Sequence, residues 1–535
     1  MNFQSYAHGK NHWLLDADLK VILRNYWVDF QKHEAELHTF GSLAGGRAYE
    51  VADWVDRTAP PEMVMHDLDG RRVDRARLDP AHVQLLKEMA SINRPPYEGG
   101  SWLHHYAYGY LLADPGLYCS LIVTNQTAYA IYKYAPKYSD WLSALLNGEM
   151  WGATWMTETQ GGSDLGANNT IAKFEDGGWH LYGEDKYFAS NAGLADLAIA
   201  TARPQGAPEG PKGLALFLVP RLDEEDNLNY TVRRFKRKSA TRAVPTGEVE
   251  FSGCQAYLVG EAEFGIYYTL ENLTVSRLAN AVGAMGLARK AHLESLFRVK
   301  VRSAFGKTLV EHPLMRYDLT DLAVRIAGGL ALAFHAIAAF DKSWTDKPPY
   351  TSSYHYARFL SHLAKNRTAE HAAAATSLAM EIFGGIGFLE DFCVSRLHRE
   401  ALVTAIWEGA SNIQALDMLE AMQKKGAHEP FLEEFIPLLE SSASSAGNLA
   451  LKVIHDILAY LGSFSPNEAQ WFSKYSLSQL ADAAQVGLLY ALAEKGGERY
   501  AKLAELYAER FLANKPYPAW ALNDPQVWWT LPESD

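Results

Sequence analysis

The chain has 535 residues, more than one hydrophobic core usually serves, so about two to four domains with room for a buried cofactor are expected. A composition of 48% hydrophobic and 21% charged residues, without a low-complexity tract, excludes an intrinsically disordered protein. Fifty Lys and Arg against 63 Asp and Glu leave a net charge of −13, which argues against a protein that coats nucleic-acid phosphates over its whole surface.

The three cysteines, Cys119, Cys254 and Cys393, lie far apart and form no CxxC pair, so neither a disulfide framework nor a cysteine zinc site is expected and a cytoplasmic location fits. The opening residues "MNFQSYAHGKNHWLLDADLK" contain no signal-like apolar run, and no stretch of 18 uninterrupted apolar residues predicts a membrane span.

Along the chain, residues 1–150 read as helical, with Pro and Gly turns. "DPAHVQLLKEMASI" places Val83, Leu86 and Met89 at three-residue steps behind an Asp-Pro start, a capped amphipathic helix, and "NRPPYEGG" breaks it. From 151 to 265, "GWHLYGEDKYFASN", "LADLAIATA", "GLALFLVPRL" and "GEVEFSGCQAYLVG" are short β-branched or aromatic runs divided by turn residues, hence a β-domain. From 266 to 425 helical periodicity returns. Leu319, Leu322, Ile326, Leu330, Phe334 and Ile337 predict a long core helix, and Gly384 and Gly385 read as a helix stop. Residues 426–535 form a further helical segment, interrupted at Pro466 and Pro516. The fold class is α+β without βα alternation.

Several chemical motifs are incomplete. "FGKT" at 305–308 lacks the phosphate-loop glycine, since position 301 is Val301. "FGGIGF" is not a dinucleotide-binding fingerprint, and GxSxG is absent. Among 18 histidines no HExxH occurs, and the adjacent His104 and His105 cannot share a helix face, so no metal site is expected. Arg233, Arg234, Lys236, Arg237, Lys238 and Arg242 cluster within the β-segment. They are either a solvated strand face or a site for a phosphate-rich ligand.

"TAIWEGASNI" at 404–413 sets one carboxylate, Glu408, between an indole and a bare Gly409–Ala410 backbone. A carboxylate in a narrow, dry place has the profile of a catalytic base; the alternative is a helix-start acid completing a turn.

Four blocks in order point further: "WMTETQGGSDLGANNT" at 155–170 with "KYFASN" at 186–191, "VRSAFGKTLVEHPLM" at 301–315, and "EIFGGIGFLEDFCVSRLHREALVTAIWEGASNI" at 381–413. Together they resemble the acyl-CoA dehydrogenase family. The resemblance implies an N-terminal helical domain, a central β-domain and a C-terminal four-helix bundle, here followed by an extra helical domain. It also implies FAD as cofactor, an acyl-CoA substrate, an electron-transfer flavoprotein as acceptor, and a homotetramer of paired dimers. Met156, Thr157, Gly162 and Ser163 would meet the flavin ring edge and pyrophosphate, and Ser163 the substrate as well. Phe188, where the family often has Trp, and Ser190, where it often has Thr, would lie against the isoalloxazine; strand alternation sends both to one side. Arg302, Phe305, Glu381, Gly384 and Gly385 would hold the FAD of a neighbouring subunit, although many members have Gln where this chain has Glu381. Ser411 and Asn412 would follow the base toward FAD. Arg396 and Arg399 would pair with internal acids.

In this resemblance Glu408 is the base, Trp407 and Gly409 line the substrate, and Arg277 stands near the cleft or serves structure alone. The earlier-helix base of some members falls on Ser276, which cannot serve. The early segment "APPEMVMHDLDGRRVDRARLDPAHVQLL" is similar to the AidB-like branch, which includes a DNA-binding member with a basic C-terminal domain. Here residues 429–535 hold 7 Lys and Arg against 14 Asp and Glu. Acyl-CoA dehydrogenation therefore ranks ahead of an AidB-like nucleic-acid or protective role, and nitroalkane oxidation or FAD binding with little turnover comes third.

Overall fold

The computed structural model describes residues 5–532. Contacts divide the chain into two compact units, one formed by residues 50–100 and 115–276, the other by residues up to 49, 101–114 and those from 277 onward. The four segments read from the sequence follow the alternation of helix and strand; the units follow packing, and the first segment contributes to both.

The first unit carries the sheet. A hairpin of β1 (Glu62–His66) and β2 (Arg72–Arg77) lies in the segment read as helical. Its turn is closed by the Asp67 carboxylate, which accepts from the N–H groups of Asp69 and Arg71 at 2.9 Å. The main sheet comprises β3 (Gly152–Trp155), β4 (Ile171–Glu175), β5 (Gly178–Ala189), β6 (Leu197–Pro204), β7 (Ala215–Pro220), β8 (Thr231–Phe235) and β9 (Gly247–Leu258). β6 runs parallel to β3 along Leu197–Ala200 and to β4 at Arg203–Pro204, and pairs antiparallel with β7. β4 joins β5, β5 joins β9 and β9 joins β7, so the ladder closes on itself, with β3 beside β6 and β8 beside β9.

Period-two alternation sorts the side chains. On β6 the small Ala198, Ala200 and Ala202 face the interior occupied by Trp155, Phe217 and Val219. Leu197 and Ile199, with Leu216 and Leu218 of β7, face the other way and pack with Ala128, Ala130 and Ile131 of helix Pro115–Tyr134. Both faces are covered, which is why "LAIATA" reads as an unbroken apolar run. Helix Pro80–Met89 starts on an Asp79 side-chain cap, as expected, but its buried face is His82, Leu85, Leu86 and Met89, with Val83 half-buried at its edge.

The second unit is helical. Helix Pro313–Ser343 buries Leu319, Leu322, Ile326, Leu330, Phe334 and Ile337, as the periodicity predicts. It is long and apolar enough to cross a membrane, but 89% of its most apolar window is buried, so it is a core helix. Gly328 and Gly329 let its neighbours close in: a Cβ would stand 2.6 Å from the Tyr507 ring at the first and 2.4 Å from the Met285 sulfur at the second. Helix Ser352–Phe383 packs along it and stops at Gly384, whose φ is +67°.

In the C-terminal segment Pro466 opens helix Pro466–Gly496 behind a Ser465–Glu468 capping box. This helix is tied to Ser352–Phe383 by a two-pronged Arg367–Asp482 pair at 2.7 and 2.8 Å, and Tyr507 donates to the same carboxylate at 2.7 Å.

Candidate active site

Glu408 lies between helix Cys393–Thr404 and helix Ser411–Lys425, whose N-cap is Ala410. It belongs to neither helix, which removes the helix-start reading. Two successive residues are left-handed, Glu408 at φ +58° and Gly409 at φ +96°. Glycine at 409 meets a double demand, since a Cβ there would also stand 2.8 Å from Gln414 Nε2. Glu408 has no such freedom, and a non-glycine residue in this region costs about 1–3 kcal/mol.

Three side chains hold the turn. Arg277 Nε donates to the Glu408 carbonyl at 3.0 Å, Lys365 Nζ donates to the Gly409 carbonyl at 2.7 Å, and Gln414 Nε2 donates to both carbonyls at 2.9 Å. A hydrogen bond from a charged donor contributes about 1.5–3 kcal/mol, the same order as the strain.

The donors are themselves fixed. Arg277 NH2 lies 3.0 Å from the Asp417 carboxylate. His362 Nδ1 is 2.9 Å from Gln414 Oε1. Burial, with Arg277 nearby, lowers the His362 imidazolium to about 3, so the ring is neutral and the Nδ1–H tautomer donates to the amide oxygen. That turns the Gln414 amino group toward the turn.

Arg277 and Lys365 are 2% and 1% exposed, so two buried cations stand behind this half-buried loop. Asp417 balances one. The Glu408 carboxylate acts on both through space and favours their charged forms. Arg277 is therefore spent on the loop and serves the structural reading. Trp407 is half-buried, and its indole N–H donates to Asn280 Oδ1, which fixes the wall beside the base. Ser276 is buried on helix Gly265–Val301. Arg396 pairs with the buried Asp114, as expected, whereas Arg399 lies 3.8 Å from the exposed Glu390.

In the sheet unit, β3 runs into the 155–163 loop. The Met156 side chain is packed in the core and its carbonyl accepts from Asn168 at 3.0 Å, so what it has left for a ligand is main chain. Glu158 anchors the loop. Its carboxylate is buried and accepts from the N–H groups of Asn169 and Thr170, from the Thr170 hydroxyl, and from Lys186 Nζ at 2.8 Å. Burial alone would raise its pKa; Lys186 and these donors hold it below the ordinary carboxylate value. Gly162 closes on Thr157, with a Cβ only 2.4 Å from Oγ1, while Gly161, at φ +135°, faces open space and Ser163 is exposed.

Strand alternation does not place Phe188 and Ser190. The β5–β9 register shifts between Lys186 and Ala189, the strand ends at Ala189, and Lys186 is fully buried where alternation would put it beside the exposed Phe188. The Ser190 hydroxyl exchanges hydrogen bonds with the Thr154 main chain, both at 3.1 Å. Lys236 lies 5.0 Å from the Phe188 ring centroid.

Arg302 is exposed with no acidic partner among the described residues, and Phe305 is 96% exposed. Glu381, Gly384, Gly385 and Asn412 are exposed and Ser411 is half-buried; no atom stands within 4 Å of a Cβ built on Gly384 or Gly385. Most of the basic cluster is committed internally. Arg233 pairs with Glu250, Arg234 and Lys236 with Glu248, and Arg242 approaches Asp56. Lys238 donates to the Thr241 and Val244 carbonyls and to the Thr246 hydroxyl. This favours a strand face neutralised by its partner strand over a phosphate site.

Lys365, Gln414, His362, Asp417 and the Glu158–Lys186 pair went unread in the sequence. Lys365 alone left a signal, a lysine within the face of "SHLAKNRTAEHAAAA" that also carries Ser361, His362 and Ala372, all buried.

Burial brings the Lys365 ammonium down to about 7. The unfolded chain holds that proton to about pH 10.4, so between these values the unfolded state binds more protons and stability rises with pH. Between pH 7 and 9 the wild type should therefore gain on the order of 2 kcal/mol relative to Lys365→Met in urea denaturation. Parallel pH profiles for the two proteins would contradict this.

Comparison with known proteins accounts for the arrangement. The acyl-CoA dehydrogenase C-terminal domain matches residues 263–423, its middle domain residues 153–254, and the adaptive response protein AidB N-terminal domain residues 2–150. AidB of Escherichia coli strain K12 is 30% identical over 75% of this chain and 75% of its own length. Among solved structures, Caenorhabditis elegans ACDH-11 in complex with C11-CoA is similar at a TM-score of 0.81, with 24% identity, 95% of this chain and 91% of that one covered. The Bacillus anthracis acyl-CoA dehydrogenase complexed with FAD gives a TM-score of 0.67 and 18% identity, over 90% of this chain and 86% of that one. The ordered blocks, the domain matches and the relationship to AidB agree: the chain belongs to the acyl-CoA dehydrogenase family, in its AidB-like branch.

Proposed function

We propose that the chain is an FAD-dependent acyl-CoA dehydrogenase in which Glu408 removes the α-proton of an acyl-CoA thioester and an electron-transfer flavoprotein accepts the electrons. The clamped left-handed turn at Glu408 carries the reading, because strain held by buried donors is the mark of a side chain whose position matters. FAD is the cofactor of the family. The residues present fit it: Gly161, Gly384 and Gly385 are open where a Cβ would stand, the Ser163 hydroxyl is exposed, and Phe188 presents a ring that is 51% exposed. When bound, FAD supplies the acceptor for the β-hydrogen, which leaves as a hydride.

The chain's own part is proton chemistry. Glu408 accepts the α-proton from a turn whose carbonyls Arg277 and Lys365 hold in place. Trp407, braced by Asn280, keeps water from that carboxylate. The Glu408 main-chain N–H is the donor assigned to the enolate oxygen. Glu271, the other carboxylate early on helix Gly265–Val301, is fully buried against Lys133, Tyr129 and Tyr134 and cannot act in its place. The C11-CoA complex of ACDH-11 supports a thioester as substrate.

Charge gives no support to a nucleic-acid role. In the acidic C-terminal segment Lys452, Arg499, Lys502, Arg510 and Lys515 each sit against an acid.

Glu408→Gln should keep its FAD and lose anaerobic flavin bleaching by a panel of acyl-CoA thioesters, slowing reduction by about 10²–10⁴-fold. Bleaching at the wild-type rate would place the base elsewhere, and a wild type that no thioester bleaches would remove the dehydrogenase reading.

The active form is assigned to a homotetramer, since the exposed Arg302, Phe305 and Gly384–Gly385 have a use against a neighbour's cofactor. Light scattering should give four chains, and Arg302→Ala should loosen FAD without unfolding the protein. A monomer that keeps its FAD would contradict the assignment.

A further inference from the structure

His33 and Glu36 sit one helical turn apart on helix Phe30–Leu43, and helix Trp102–Leu112 brings His104 to them. Glu36 Oε2 lies 3.3 Å from His104 Nε2 and 3.4 Å from His33 Nδ1, and the three donor atoms all fall within 4.8 Å of one another. These separations are long for charge-assisted hydrogen bonds, which close to about 2.7–2.9 Å. The two separations from Glu36 Oε2 match the edge of a tetrahedron around zinc, about 3.3–3.4 Å for metal–ligand bonds of about 2.0–2.1 Å.

We propose that His33, Glu36 and His104 form a binding site for one divalent transition-metal ion of the zinc class, clamping the two helices together. Two imidazoles and one carboxylate are a known zinc-ligand set, and the i, i+3 step puts the first two on one face.

The surroundings suit a ligand cluster. The Trp27 indole stacks on His33 at 4.9 Å and 15° and packs against His104 at 4.8 Å, holding both rings and covering one side. The His104 side chain is 5% exposed, those of His33 and Glu36 are 32% and 56% exposed, so the metal has an entry path. Tyr108 OH is 2.8 Å from His104 Nε2 and 3.4 Å from Glu36 Oε2. With the imidazole lone pair on the metal, this hydroxyl is placed to donate to Glu36 or to take the fourth position. Sequence spacing could not assemble the set, because His104 comes from a second helix.

The test is titration of the full-length, EDTA-treated and desalted protein with Zn²⁺ by calorimetry, alongside Co²⁺ absorption. The expected result is one Zn²⁺ per chain, a raised thermal midpoint, and the visible bands of four-coordinate Co²⁺. Glu36→Gln changes an exposed side chain and should fold normally while weakening Zn²⁺ binding by about tenfold or more; His33→Gln should do the same. A wild type without saturable binding, or a Glu36→Gln variant that binds as tightly, would overturn the proposal.

Discussion

Two main-chain carbonyls, those of Glu408 and Gly409, are the point on which the helical unit's chemistry turns. Both belong to left-handed residues, and both are held by side chains: Arg277 from Gly265–Val301 and Lys365 from Ser352–Phe383, distant in sequence, and Gln414 from the helix that follows the turn, Ser411–Lys425. Each donor must be buried to reach a carbonyl inside the bundle, and burying two cations is costly unless anions answer them. Asp417 answers Arg277 directly, and Glu408 acts on both cations from the turn they hold. One arrangement thus fixes the backbone of the loop and sets its carboxylate within electrostatic reach of both basic donors. His362 makes it directional, since a neutral ring donating to Gln414 settles which end of the amide faces the turn.

The sheet unit solves a similar problem with different groups. Its 155–163 loop must expose glycines and hydroxyls and still keep a shape, and a buried Glu158 supplies that shape by accepting from main-chain, hydroxyl and ammonium donors at once. Lys186, the ammonium concerned, also donates to the Thr201 carbonyl at 2.7 Å and so ties β5 to β6. The rigid parts are core residues, and Gly161 and Ser163 are left facing outward.

What the sequence made legible was whatever rests on local periodicity or on a contiguous block. The apolar steps from Leu319 to Ile337, the stop at Gly384 and the short β-runs between 151 and 265 all appear as read. The β1–β2 hairpin escaped because both strands are short, β2 is mostly charged, and only Asp67 and Gly70 marked the turn. Val83 was placed on the buried face because a three-residue step drifts off a 3.6-residue helix. Phe188 and Ser190 were paired by alternation that a register shift interrupts. The basic run at 233–242 met its counter-charges on β9, at Glu248 and Glu250, and which residues face across a ladder depends on register rather than composition. The clamp was the least legible part: Arg277 and Lys365 are far from the turn in sequence, and a buried lysine or glutamine carries no spacing of its own.

The central claim is that this clamped turn presents Glu408 as the base, and it can be tested apart from hydride transfer. An acyl-CoA with α-hydrogens but none on the β-carbon, such as 3,3-dimethylbutyryl-CoA, can be deprotonated but not dehydrogenated. Incubated with the FAD-loaded enzyme in D₂O and followed by mass spectrometry, it should take up deuterium at the α-carbon with the wild type and not with Glu408→Gln. Equal deuterium uptake with both proteins would contradict the account.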